Sequence, residues 1–251
     1  MIRGRLEGAP PSKAADAFRA AGFEPVDDEP VRKAATGAVR RGTKPPPAEL
    51  TAALGRVVGP STAPKLAARL ADAGRAFQGE RYTDARRILA PLADRAPGSE
   101  AVRELYGLTL YKLGKWKEAV RELEAFRTLT HSTEQHPVLA DCYRALGRYD
   151  EVEALWRELR EVSPSAELVA EGRIVHAGAL ADRGRIREAI ADIEPAVRKT
   201  KRPRGHHLRL LYVLADLYER AGDLPRARAL FERVIAAEPD FADADARLRA
   251  L

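Results

Sequence analysis

The residue types able to carry covalent, proton-transfer or metal chemistry are sparse. They comprise five histidines (His131, His136, His176, His206 and His207), a single cysteine, Cys142, and two clusters of carboxylates. One cysteine excludes an intramolecular disulfide framework and a cysteine-cluster zinc site. The phosphate-cradling glycine patterns, the His-Glu-x-x-His pair of metalloproteases and the Gly-x-Ser-x-Gly nucleophile turn are all missing. Asp27, Asp28 and Glu29 read as a solvated loop. Asp240, Asp243 and Asp245 offer a metal reading, but they precede a short capping helix over Ala246–Leu251, and acidic residues in a first helical turn complement the helix dipole. The expectation is therefore no enzyme, with no catalytic residue, no metal and no cofactor.

Basic chemistry is more prominent. Arg198, Lys199, Lys201, Arg202, Arg204, His206, His207 and Arg209 fall within twelve residues, a density that suits phosphate contacts with strong salt dependence. No aromatic residue interleaves the run, so base stacking has no support. The formal net charge of the 251 residues is +6. Residues 1–65 hold 11 Lys/Arg against 7 Asp/Glu, together with nine of the 17 prolines, so most of the surplus sits in a Pro-rich leader. The chain has 46 Ala, 34 Arg, 9 Lys and no Asn. At 45% hydrophobic residues it buries a real core, and heavy Ala favours helix. No run of eighteen apolar residues exists to span a membrane, and no secretion-signal pattern opens the chain. A cytoplasmic location is the expectation.

What must position these residues is an internal repeat. Small residues stand at Ala73, Gly107, Ala140, Ala177 and Ala215, and twelve residues beyond each come Ala85, Ala119, Val152, Ala189 and Ala227. Four further on is a large apolar residue: Leu89, Leu123, Trp156, Ile193 and Phe231. Gly114, Gly147, Gly184 and Gly222 mark turns in register, with Gly79 one place early in the first unit. Apolar residues at three- and four-residue steps make one face of a helix. Glycine ends the first helix by allowing positive φ, and the small columns let two antiparallel helices approach. A lone hairpin of this kind cannot bury its face, so neighbours must stack.

The pattern resembles the tetratricopeptide repeat, best in Leu105 to Tyr111, then Gly114-Lys115-Trp116, then Glu118-Ala119. More loosely, Pro137 to Cys142 with Ile174 to Gly178 is similar to a group of actinobacterial tetratricopeptide proteins. The resemblance implies an all-α fold, an α-solenoid of about five helix-turn-helix hairpins wound as a right-handed superhelix, acting as a protein-interaction scaffold. The expected organisation is a basic leader over 1–46, a capping helix and linker over 47–65, and five units over 66–241 (66–99, 100–133, 134–167, 170–203 and 208–241). A short capping helix over 242–251 closes the chain. Pro91 and Pro195 share one place in the second helices of units one and four and should bend them. Pro137 and Pro225 suit the first turn of a helix, which gives unit three a late-starting first helix.

In the family the first helices line a concave groove that holds peptides. Helical phase puts Phe77, Glu104, Leu108, Tyr111, Lys112, Asp141, Arg144, Ile174, Tyr212, Asp216 and Glu219 on that face. Members that grip carboxylate-ended chaperone tails use a Lys/Asn/Arg clamp. This chain has no Asn, and Leu70, Gly74, Glu104 and Leu108 hold the corresponding places, which argues against that ligand. The groove carboxylates point instead to a protein or peptide carrying Lys or Arg, and the leader, from Arg32 to Lys44, is a candidate occupant. Nucleic acid held by the 198–209 run and the leader is the alternative, and self-association through an exposed end is open. His176 is expected to be a packed histidine, Cys142 a small buried residue with no histidine placed to activate it, and His131 and His136 solvated or capping groups at a junction.

Overall fold

Ala-rich segments with apolar residues three and four apart close into helices because each buries one stripe against a neighbour. The structure is a computed structural model and describes residues 47–197 and 205–251; the leader over 1–46 and residues 198–204 of the basic run lie outside the described residues. Among the described residues there are twelve helices and no strand. They are α1 (Pro47–Val58), α2 (Ala63–Gln78), α3 (Tyr82–Arg95), α4 (Glu100–Lys112), α5 (Trp116–Thr130), α6 (His136–Ala145), α7 (Tyr149–Val162), α8 (Ala166–Asp182), α9 (Ile186–Val197), α10 (Gly205–Arg220), α11 (Leu224–Ala237) and α12 (Ala244–Ala250). The fold is an all-α helical repeat.

The turns within hairpins share one construction. Gly114, Gly147, Gly184 and Gly222 have φ of 67°, 71°, 76° and 80°. The amide of the following residue donates back to the carbonyl five residues earlier: Lys115 to Leu110, Arg148 to Tyr143, Arg185 to Leu180 and Asp223 to Tyr218, each at 2.9 Å. This is the glycine-ended helix stop in which a left-handed residue lets the chain satisfy the last carbonyls. The first hairpin makes the same bond, from Arg81 to Ala76, at 2.9 Å. There Gly79 has φ −88° and Glu80 takes the left-handed position at φ 58°.

Packing separates into two compact units, one reaching to Val175 and one running from His176 to Leu251. In the first, α1 packs on α2, the pairs α2/α3, α4/α5 and α6/α7 are antiparallel hairpins, and α4 also touches α2 and α6. Its core includes Leu54, Leu66, Leu89, Leu92, Leu110, Leu123, Leu139, Leu159 and Ile174, all fully buried; each such side chain contributes roughly 1.5–3 kcal/mol through removal from water. A Cβ placed on Gly107 would lie 2.7 Å from Leu123 Cγ, so the small column is there for close approach. Gly172 meets Leu159 and Trp156 in the same way. In the second unit α10 packs on α9 and α11, and α11 touches α12. Tyr212, Phe231, Val234 and Ile193 form its centre.

Both interior prolines sit inside continuous helices, Pro91 in α3 and Pro195 in α9. Pro137 occupies the first turn of α6, which has only ten residues, and Pro225 the first turn of α11. There the missing N–H has no helical partner to lose. Asp223 caps α11 by accepting from the Arg226 amide at 3.2 Å.

Candidate protein-interaction surface

In the first unit the inner layer is α2, α4 and α6. Phe77, half-buried at the end of α2, meets Tyr82 edge-to-face with ring centres 5.4 Å apart. Lys112 Nζ lies 5.2 Å from the centre of the Tyr82 ring, a cation over an aromatic face that ties the end of α4 to the preceding hairpin. Tyr111 and Trp116 make a second edge-to-face pair at 5.5 Å. The Tyr111 hydroxyl donates to Asp141 Oδ2 at 2.8 Å, and Arg144 Nε donates to Asp141 Oδ1 at 2.9 Å. Burial, and then the charge and hydrogen bond of Asp141, push the Tyr111 hydroxyl well above the ordinary tyrosine range, so it stays a donor. Deeper in, Gln135 Nε2 donates to Glu104 Oε1 at 2.7 Å.

Phe77, Tyr111 and Lys112 are therefore half-buried at the surface. Asp141 and Arg144 are mostly buried and neutralise each other. Glu104, Leu108 and Ile174 differ from the expected exposed groove positions. Glu104 is 1% exposed, Leu108 4% and Ile174 0%. Helical phase puts them on the inner face, but all three side chains are packed into the interior, Glu104 with Gln135 as its partner.

The second unit repeats the arrangement with its own last helix. Tyr212 is 0% exposed and Asp216 4%, while Glu219 is half-buried. Arg247 of α12 reaches across them. Its Nη2 is 2.7 Å from Asp216 Oδ1 and 2.6 Å from Glu219 Oε2, its Nη1 is 3.2 Å from the Tyr212 hydroxyl, and its guanidinium lies 4.9 Å from the centre of the Phe231 ring. The Tyr212 hydroxyl in turn donates to Asp243. Burial raises the Asp216 carboxyl pKa even though Arg247 pulls it down. Tyr212, Asp216 and Glu219 are thus covered by the chain itself.

The polar links share a spacing that sequence reading passed over. Glu104 to Gln135 is 31 residues, Tyr111 to Asp141 is 30, and Tyr212 to Asp243 is 31. Each is close to one repeat length. Gln135, Asp243 and Arg247 come in by such links, whereas Tyr82, Trp116 and Phe231 come in through ring contacts.

The basic run is shorter than it reads. Arg198, Lys199, Lys201, Arg202 and Arg204 lie outside the described residues, but α10 begins at Gly205 and buries both His206 (5% exposed) and Arg209 (3%). Arg209 belongs to the helix interior, not to an open loop. Cys142 is fully buried, and burial followed by the Asp141 charge pushes its thiol well up, which suppresses the nucleophilic thiolate. His176 Nδ1 lies 3.0 Å from Asp192 Oδ2. His131 ends α5 in the left-handed conformation. His136 is 2% exposed, with Nε2 3.2 Å from Glu158 Oε2, so it is a buried group and not a solvated one. Among the described residues no cluster of three or more His, Cys, Asp or Glu is placed to hold a metal, and no helix is long and apolar enough to cross a membrane.

Antiparallel helix pairs with left-handed turns in register, small residues at the close contact and polar links one repeat apart define a helical-hairpin repeat protein. A tetratricopeptide repeat model matches residues 70–129 and 174–241, about half of the chain, and a second tetratricopeptide repeat model matches 127–202. The chain belongs to the tetratricopeptide repeat family. No curated protein matches it in sequence. Its fold is similar to the crystal structure of a thermophilic TPR protein from Thermus thermophilus, with a TM-score of 0.56 and 18% identity, covering 74% of this chain and 97% of that one. Repeats of this family generally mediate protein–protein interaction, and proteins built from them are typically non-catalytic scaffolds.

Proposed function

We propose that the chain is a non-enzymatic binding module whose first-helix face over α2, α4 and α6 holds a segment of a partner protein. The observation that carries this reading is the half-exposed strip of Phe77 on α2 and Tyr111 on α4, continued by Tyr82 and Trp116 at the starts of α3 and α5, with Lys112 seated on the Tyr82 ring. Aromatic side chains supply much contact area for little conformational entropy and dominate interface energetics. These four are held in place before any partner arrives, by edge-to-face pairing and by the Tyr111–Asp141 bond. Preorganisation of this kind lowers the entropic cost of binding. Asp141 already has Arg144 as its counter-ion, so this face selects by shape and aromatic contact.

The test compares wild type with the double variant Tyr111→Ala, Lys112→Glu as baits for affinity capture, after helical content and melting of both have been matched. Loss of at least one partner from the variant, restored by Tyr111→Phe with Lys112 intact, supports the reading. Recovery of the same partners in the same amounts by both baits would falsify it.

A further inference from the structure

The polar contact between α10 and α12 has the composition of a ligand site. We infer that Tyr212, Asp216, Glu219 and Phe231 form an arginine-recognition notch for an arginine-bearing helical segment of a partner protein, and that α12 is its built-in, exchangeable occupant. The inference deepens the protein-binding reading by naming a partner chemistry, at a site apart from the α2–α4–α6 face.

Three observations carry it. First, the walls match a guanidinium on every side. Two carboxylates accept from it, the Tyr212 hydroxyl lies 3.2 Å from Nη1, and the Tyr212 and Phe231 rings lie 5.5 and 4.9 Å from its central carbon. Planar donors, delocalised charge and stacking distinguish arginine from lysine at such a place.

Second, the occupant does not use the site fully. Nη2 serves both Asp216 Oδ1 and Glu219 Oε2, and Nε also reaches Glu219 Oε2 at 3.2 Å, so Glu219 takes two donors from Arg247 and Asp216 only one. Asp216 is 4% exposed, yet its Oδ2 is buried without a hydrogen bond; Arg220 Nη1 stands 3.7 Å away, close enough for charge attraction only. A guanidinium set fork-to-fork against Asp216 satisfies both oxygens, the strong geometry for an arginine–carboxylate pair. An incoming arginine therefore gains a contact that Arg247 lacks.

Third, α12 is lightly held. It has seven residues, too few for a helix stable by itself. Its chain enters through Ala242 at φ 48°, a left-handed geometry costly for alanine. Only Phe241 and Ala244 are buried along it, while Ala246, Arg249 and Ala250 are exposed.

The test uses full-length protein and a labelled peptide with the sequence of residues 239–251. Arg247→Ala empties the notch of its guanidinium. The peptide should bind this variant at least about tenfold more tightly than wild type, a margin well inside what a buried charge pair supplies. A peptide with alanine in place of its Arg247-equivalent should not bind, and Asp216→Asn added to the Arg247→Ala chain should abolish binding. Arg247→Lys, which keeps charge and folding but loses the fork, should give intermediate affinity and serves where the alanine variant loses helical signal. Equal binding to wild type and to the folded variants, or equal binding of the two peptides, overturns the notch. A concentration-dependent wild-type dimer that Arg247→Ala abolishes overturns the choice of occupant in favour of a second copy of this chain. Capture by the α2–α4–α6 face is read from separate baits and does not use residues 239–251, so failure here does not bear on that face.

Discussion

Glu80 stands where the other four hairpins have glycine. Its φ of 58° places Cβ against the following carbonyl, which costs an L-residue roughly 1–2 kcal/mol. The bond from Arg81 to Ala76 is nonetheless made at 2.9 Å, so the turn geometry is imposed by the repeat and not by the residue. Glu80→Gly should therefore stabilise the protein by about 0.5–1 kcal/mol, part of the relieved strain being lost to glycine's unfolded-state freedom. A urea titration reads this as a higher midpoint with unchanged slope; an unchanged or lower midpoint contradicts it. Gly107 argues the opposite case. Alanine there gains roughly 1 kcal/mol of helix propensity, but its Cβ would meet Leu123 Cγ at 2.7 Å and the Leu123 amide nitrogen at 3.3 Å. Leu123 is fully buried and has nowhere to move, so overpacking of about 1–3 kcal/mol wins. The expected result for Gly107→Ala is a net loss of up to about 2 kcal/mol in the same titration.

At the scale of elements, the junction of α5, α6 and α7 should respond to pH. His136, at the start of α6, is 2% exposed. Burial lowers its pKa from the usual 6.5, while Glu158 of α7 works against that and Arg127 of α5 adds to it; Glu124 of α5 is the other charge nearby. A histidine with a depressed folded pKa takes up its proton more readily in the unfolded chain. Its contribution to stability is complete above the unfolded value near 6.5 and falls away as pH drops from there through the folded value. The melting midpoint should decline between about pH 7.5 and 5.5, and His136→Gln should flatten that decline. Parallel pH profiles for the two proteins would show that His136 does not drive it. This junction also shows what sequence can and cannot convey. The helices were legible because the period of apolar residues, the glycine turns and Pro137 at a first turn are local signals. Burial of His136 was not, because it depends on which helices lie over α6. The same holds for Ile174: α8 buries Ala170, Glu171, Val175, Ala179 and Leu180 on several sides, and a helix covered all round has no face for a projection to find. The polar links escaped for a related reason, being formed by residues one repeat apart, each unremarkable in its own helix.

For the molecule as a whole, stability in stacked repeats is close to a sum of single-repeat and nearest-neighbour contributions. A lesion should therefore be felt first within its own compact unit. Tyr212 provides the sharpest case. It is fully buried, meets Phe231 and Phe241 with ring centres 5.7 Å away, and bonds Asp243 and Arg247. Tyr212→Ala removes the ring, leaves a cavity and strips a hydrogen-bond partner from Asp243 and Arg247, at a cost of about 3–5 kcal/mol by analogy with other large-to-alanine core changes. That sum is a large fraction of a typical domain's stability, yet all of these contacts fall within 176–251. Native-state hydrogen exchange should show protection lost in α9, α10 and α11 while the amides of α2 to α5 exchange as slowly as in wild type. Tyr212→Phe, which keeps the ring and loses only the hydroxyl's bonds, should cost about 1–2 kcal/mol and loosen mainly α12. Uniform loss of protection from α2 to α11 would mean that the chain unfolds as one cooperative block. In that event Tyr111 and Arg247 variants would each have to be checked for global unfolding before any binding result was read from them.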